Sequence, residues 1–273
     1  MLRQVYLLGR IGLAGLAFLS FWVGGLLIGS LILPLTRWRH RRGSVMERAV
    51  ACQRWVQRSF VLLHAYMRVC GLLHFQPKMV DASVPGTRFV MVANHPTLVD
   101  VAALAAVFGR ITCIAKRPLF RTPILGAILR SCAYIDGGNG DALSGALVVS
   151  RALELLALEM PVLVFPEGTR SPAGDLGRLK RGAFEIACRA NVPLLPVVIR
   201  CEPAALSKSH AWYQIPPRTA FFTVTRLPPM LPDHFQRDAA RMAASCEATF
   251  RKHLNLTTNE ATDEMRTSHE RHQ

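Results

Sequence analysis

Two short segments hold the side chains best suited to do chemistry. The first, Asn94-His95-Pro96-Thr97-Leu98-Val99-Asp100, comes directly after the apolar run of residues 89–93. A neutral imidazole near pH 7 can take the proton of a hydroxyl as that oxygen attacks a carbonyl, and a nearby carboxylate can fix its tautomer and stabilise the imidazolium that forms. Proline suits the first helical position, so Pro96 is expected to start a helix, with His95 at its cap and Asp100 a turn and a half later. No GxSxG stands anywhere in the chain, so the nucleophile in such a scheme is the substrate's own hydroxyl. The second segment, Val164-Phe165-Pro166-Glu167-Gly168-Thr169-Arg170-Ser171, also ends an apolar run. Glu167 can accept from substrate hydroxyls, Gly168 lets a backbone approach closely, and Arg170 offers a planar fork for phosphate or carboxylate. Each segment has a plainer reading as well: a capping His with a solvated Asp, and a surface Glu–Arg pair on a loop.

These segments must be positioned by the elements around them. Past Asp81, short apolar runs alternate with helical stretches, the pattern of an α/β domain with a mixed, largely parallel sheet flanked by helices. Strands are expected at 88–94, 111–115, 132–136, 161–165, 194–200 and 221–226, and helices at 96–108, 122–131, 141–159, 180–190 and 238–253. Ligands of open α/β sheets bind outside the carboxyl ends of the strands, which would bring both segments to one crevice. Gly137-Gly138-Asn139-Gly140-Asp141 resembles a nucleotide loop only superficially, since neither GxGxxG nor GxxxxGK[ST] is present; a turn with Asp141 as helix cap fits better.

The front of the chain is different in kind. Ile11 to Leu35 carries no charge for 25 residues, roughly 37 Å as a helix against a hydrocarbon core of about 30 Å. The run ends in Pro34, Trp38 and the cluster Arg37, Arg39, Arg41 and Arg42 rather than a small-residue cleavage site, so a retained membrane helix is expected, and its flanking charges place the rest of the chain on the cytoplasmic side. Residues 1–42 then form an anchor and 43–79 a basic amphipathic helical segment, its apolar positions Val50, Trp55, Phe60, Leu63 and Met67 facing either lipid or the domain. Residues 80–230 form the α/β domain, and 231–273 a C-terminal helix with a polar tail. The 33 basic residues exceed the 18 acidic ones by 15, and eleven of the basic residues against Glu47 alone lie in positions 1–80. This charge flanks an apolar run and lacks the aromatic interleaving that stacks bases, so membrane lipid is the expected partner and nucleic acid is not. Seven cysteines without a CxxC pair read as reduced and mostly buried, and His64, His74, His210 and His234 lack ligand-spaced companions, so no metal is expected.

Taken together, NHPTLVD (94–100) and FPEGTRS (165–171) resemble the NHxxxxD and FPEGTRS motifs of the glycerolipid and lysophospholipid acyltransferases, which include 1-acyl-glycerol-3-phosphate acyltransferase. The resemblance runs from about 70 to 230 and includes AKRPLFRTPILGAILRSCAYID, LKRGAFEIA and NVPLLPVVI in the family's order. It implies an α/β acyltransferase at the cytoplasmic leaflet of the inner membrane, moving a fatty acyl group from acyl-CoA or acyl carrier protein to a lipid hydroxyl, with no further cofactor. It also implies His95 as general base, Asp100 as its partner, and Asn94, Lys116, Glu167, Gly168, Thr169 and Arg170 in substrate binding. The chain departs from the family pattern at the end of CAYID, where an arginine is usual and this sequence has Asp136 and then glycines. A carboxylate facing the acceptor would disfavour a phosphate dianion and suit an ammonium or hydroxyl group. Three readings therefore stand: a lysophosphatidate acyltransferase, an acyltransferase for another lipid alcohol such as a lyso-ornithine lipid, and an inactive protein that binds anionic lipid. Oligomeric state is not encoded in any of these features.

Overall fold

A computed structural model describes residues 2–79 and 86–256. Helix α1 (Leu2–Leu27) runs through a π-helical stretch, Ile28–Ile32, into α2 (Leu33–Arg39). Helix α3 (Val45–Val69) starts at a capping box: the Glu47 N–H donates to Ser44 Oγ at 3.1 Å, and the Ser44 N–H to Glu47 Oε2 at 2.6 Å. Next come β1 (Leu73–Met79), β2 (Val90–Ala93), α4 (Asp100–Phe108), β3 (Thr112–Ala115), α5 (Arg117–Arg121), α6 (Pro123–Ser131), β4 (Ile135–Asp136), α7 (Ala142–Ala157) and β5 (Val162–Val164). Helix α8 (Gly182–Ala190), β6 (Leu194–Glu202), β7 (Ala220–Arg226) and α9 (Ala239–Leu254) complete the described chain.

Among the described residues one sheet holds the strands in the order β1-β7-β6-β2-β5-β3-β4, with only β7 antiparallel to its neighbour β6. The centre of the sheet is buried on both faces, which is why β2 reads as the unbroken apolar run Val90–Ala93 instead of alternating. Val90 and Val92 meet Leu155, Phe184 and Phe250 on the face covered by α7, α8 and α9. Met91 and Ala93 meet Ala103 and Leu104 of α4 and Met67 of α3 on the other. At about 1.5–3 kcal/mol per large apolar side chain removed from water, these two layers dominate the stability of the fold.

Four expectations need correction. The segment 43–79 is not helical throughout: α3 ends at Val69 and residues 73–79 form β1, parallel to β7. Pro77 obscured this strand, and it is tolerated because β1 lies at the edge of the sheet. On α3 the buried positions are Ala49, Cys52, Gln53, Val56, His64 and Met67, while Trp55 is exposed beneath the Arg58 guanidinium; the helix packs on the domain. The helix after β2 begins at Asp100, not Pro96, and α8 begins at Gly182, not Lys180. Helix α9 places Met242, Cys246 and Phe250 in the main core, so it belongs to the domain rather than forming a separate appendage. Asp141 does cap α7, its carboxylate accepting from the Ser144 N–H at 2.7 Å. The polar tail from residue 257 lies outside the described residues.

Candidate active site

Strands β2, β5, β3 and β4 are parallel neighbours, so their carboxyl ends form one rim, and that rim carries His95, Glu167, Lys116 and Asp136 in turn. His95 sits just beyond β2 in a non-helical turn. Its Nδ1–H donates to Asp100 Oδ2 at 2.6 Å, and the ring packs on Phe165 with centroids 4.3 Å apart. The imidazole is 20% exposed while Asp100 is fully buried, which leaves the other ring nitrogen as the one available to a substrate. Asp100 heads α4, where the helix dipole favours a negative charge. It also accepts from the Thr97 N–H at 2.9 Å and from the Thr97 hydroxyl. Burial pushes the Asp100 carboxyl up from its ordinary value, and the contacts with His95 and Thr97 oppose this.

Glu167 holds the other side of the turn. Its Oε1 accepts from the His95 N–H at 3.0 Å and from Ser171 Oγ at 2.7 Å, and its Oε2 from the Gly177 N–H at 2.8 Å. The Ser171 N–H closes the arrangement by donating to His95 O at 2.7 Å. A carboxylate has about four acceptor positions, and three of these are spent on the chain itself. Burial raises this carboxyl too, against its bonds to Ser171, Gly177 and His95. Gly168 has φ +69°, a left-handed backbone where a side chain would be strained, and a Cβ there would stand 2.9 Å from Lys180 Nζ. A cavity of about 300 Å³ is lined by Pro96, Thr97, Ser171, Cys201, Ala205 and Leu254 among others. His95 is not among its walls, but Thr97 and Ser171, which bond Asp100 and Glu167, are.

Residues 74–200 match the family model described as Acyltransferase. The 1-acyl-sn-glycerol-3-phosphate acyltransferase alpha of Mus musculus is 31% identical over 225 residues, covering 79% of this chain and 70% of that protein. The chain belongs to the 1-acyl-sn-glycerol-3-phosphate acyltransferase family. The human alpha enzyme is 33% identical over 193 residues and a chloroplastic relative of Brassica napus, BAT2, 33% over 113. These matches span 61% and 33% of those relatives' own lengths. The crystal structure of the 1-acyl-sn-glycerophosphate acyltransferase PlsC from Thermotoga maritima shares the fold, with a TM-score of 0.70 at 18% identity over 93% of this chain and 96% of that one.

Along this rim the sequence-derived residues divide. His95, Asp100, Glu167 and Gly168 come together as expected. Asn94 does not face the crevice: its side-chain amide accepts from the Ile199 N–H at 2.7 Å and donates to Ile199 O at 2.8 Å, locking the end of β2 to β6. Arg170 spends Nη1 on the carbonyls of Leu206 (3.2 Å) and Ser207 (2.9 Å). Thr169 is exposed on the same turn, and Lys116 stands exposed at the end of β3. Asp136 is not a free carboxylate. Arg117 Nε donates to it at 3.2 Å and the Gly138 N–H at 2.9 Å, so its charge is met within the chain. Sequence reasoning missed Thr97, Ser171 and Phe165 as site-forming residues. All three lie inside the two motifs, but their work is to hold other residues, and spacing alone does not distinguish a holder from a reactor.

Proposed function

We propose that this protein is a membrane-bound O-acyltransferase that moves a fatty acyl group from acyl-CoA or acyl carrier protein to the free hydroxyl of a lysophospholipid, 1-acyl-glycerol-3-phosphate in the first instance. The observation that carries the reading is the dyad: a partly exposed imidazole whose Nδ1 is held by a fully buried carboxylate, at the carboxyl end of a parallel strand. Nε2 of His95 takes the hydroxyl proton as the oxygen attacks the thioester carbonyl. The carbon–sulfur bond breaks, and the leaving thiolate takes the proton back from the imidazolium, giving ester and thiol. Asp100 stabilises the transient imidazolium. The relatives' names support the acceptor, and the Arg117–Asp136 pair removes the objection that a bare carboxylate would repel its phosphate.

The membrane seat is read from how α1 is docked. Gln4–Arg39 is helical over 36 residues and contains a stretch long and apolar enough to cross a bilayer. Yet Arg10 is buried, donating to Gly71 O at 2.9 Å and Arg218 O at 3.2 Å, and Gly29, nineteen residues on, lies against Ile124 and Ile128. That is about 28 Å of helix in contact with the domain, nearly the whole hydrocarbon thickness of about 30 Å. A docked helix of this kind lies along one leaflet, with Leu8, Leu16, Leu19, Trp22, Leu31 and Trp38 exposed to lipid. The flanking arginines favour the cytoplasmic leaflet of the inner membrane. The test is incubation of the purified full-length protein in mixed micelles with labelled acyl-CoA or acyl carrier protein and a panel of lyso-lipids. Labelled phosphatidate is the expected product. Acylation of another lyso-lipid with none of 1-acyl-glycerol-3-phosphate would overturn the acceptor, and no product from any would overturn the enzyme.

A further inference from the structure

The connection between β6 and β7 takes 17 residues, from Pro203 to Thr219, long for a loop with no helix or strand of its own. Its first part is fastened to the site. Leu206 O accepts from the Leu98 N–H at 3.0 Å, within the turn between His95 and Asp100, and the Leu206 and Ser207 carbonyls are the two that hold Arg170. Its second part is fastened to the apolar helix. The Trp212 ring lies 3.5 Å from where a Cβ on Gly15 would stand and 5.6 Å, centroid to centroid, from Phe18, and Arg218 O holds Arg10. One loop thus ties the dyad's turn to the helix that lies along the bilayer.

What the loop leaves exposed is equally specific. Trp212 and Tyr213, an edge-to-face pair, are 45% and 53% exposed. Gly15, Leu19, Trp22 and Leu26 share one face of α1 by helical period, and Leu19, Trp22 and Leu26 are exposed. Trp212 packs at the start of that face, so its apolar surface is continuous with the helix's. From 203 to 219 the loop contains Lys208 and Arg218 and no acidic residue. An amphipathic aromatic pair on a loop whose only charges are basic fits the headgroup level of an anionic leaflet, where such rings bury their body and keep the polar edge wet.

We infer that residues 203–219 form a second membrane contact, in which Trp212 and Tyr213 enter the headgroup–acyl boundary of an anionic phospholipid leaflet beside α1 and hold the mouth of the His95 site, through Leu206, Ser207 and Arg170, against the lipid from which the acceptor comes. The inference rests on the reading of α1 as lying along one leaflet. Arg170 is then a positioning residue for the loop.

The first test needs no turnover. In full-length protein with Trp22, Trp38 and Trp55 changed to Phe, Trp212 is the remaining indole; its emission is read on phosphatidylglycerol vesicles with brominated acyl chains. Quenching is expected. Unchanged Trp212 emission, with a protein retaining only Trp22 strongly quenched, would overturn the second contact and leave the helix reading intact, pointing instead to a protein partner for the pair. Absence of quenching in both would overturn the leaflet reading itself. The second test uses the double variant Trp212→Ser/Tyr213→Ser. For acceptor presented in vesicles, KM should rise roughly tenfold, the equivalent of about 1.4 kcal/mol, while kcat on detergent-dispersed acceptor and KM for the acyl donor stay as in the wild type. Equal losses on vesicles and micelles would overturn the inference, since the loop would then serve packing alone. A wild-type protein inactive on every lyso-lipid would reject the enzyme reading, and the quenching result would still decide the contact.

Discussion

Asp100→Asn separates the chemistry of the dyad from its architecture. An asparagine fits the same space: its carbonyl can take the Oδ2 place, accepting from His95 Nδ1 and the Thr97 N–H, and its NH₂ can donate to the rotatable Thr97 hydroxyl. What disappears is the negative charge beside the imidazolium that forms during transfer. At a charge separation of ~4 Å and an effective dielectric of ~20 the attraction is about 4 kcal/mol. The retained neutral hydrogen bond returns about 1 kcal/mol, so the transition state loses about 3 kcal/mol and kcat should fall on the order of 10². Stability should move the other way. Burial raises the Asp100 carboxyl above its unfolded value, so the folded state is penalised as pH rises through the folded value, and the penalty is complete above it. Asparagine carries no such penalty, and the variant's Tm at pH 7.5 should be no lower than wild type, the difference shrinking toward pH 4. Initial rates at saturating donor and acceptor, with Tm on the same preparation, make the assay. A further arm combines the change with His95→Ala: if the two act as a unit, the double variant is no slower than His95→Ala alone. A folded Asp100→Asn protein within threefold of wild-type kcat would refute the reasoning.

Other substitutions test the frame around the dyad. Glu167→Ala leaves the Ser171 hydroxyl and the Gly177 N–H without their acceptor and the His95 N–H with Ser171 Oγ alone, at 3.1 Å, and should lower kcat by at least tenfold while changing acceptor KM little; a pure KM effect would return Glu167 to the role of acceptor ligand. His64 is buried, its Nδ1–H donating to Phe60 O at 2.6 Å, and burial lowers its pKa below 6.5. Because the unfolded chain then binds the extra proton, wild type should lose stability as pH falls through 6.5, and His64→Leu should flatten Tm between pH 7.5 and 5.5; parallel Tm curves would refute this. In Gly126→Ala the new Cβ would stand 2.3 Å from Phe120 O, a backbone atom that cannot yield, so α5 and α6 must separate. A loss of about 3 kcal/mol and a Tm drop of about 6–12 °C are expected by thermal melting.

The candidate dyad and the central strands themselves were legible because each is local in sequence, whereas the order in which the strands pair, β6-β2-β5-β3, was not. His95 and Asp100 fall within one motif, Glu167 and Arg170 within another, and each motif comes after an apolar run that can only be a buried strand. The apolar front of the chain was legible for the same reason, since 25 uncharged residues need no partner to declare themselves. Relations between distant segments decided the rest. That α1 lies along the domain depends on Arg10 meeting carbonyls 61 and 208 residues away. That Asn94 locks strands, and that Glu167 orients His95, depends on partners 105 and 72 residues away. Edge strand β1 pairs with β7 across most of the chain, and its proline is acceptable because β1 is an edge of the sheet among the described residues. A side chain's type shows what bonds it can make, and its neighbours in sequence show which element carries it. Whether those bonds are spent on the chain or left for a substrate is settled by packing, because only packing brings the competing donors and acceptors within reach.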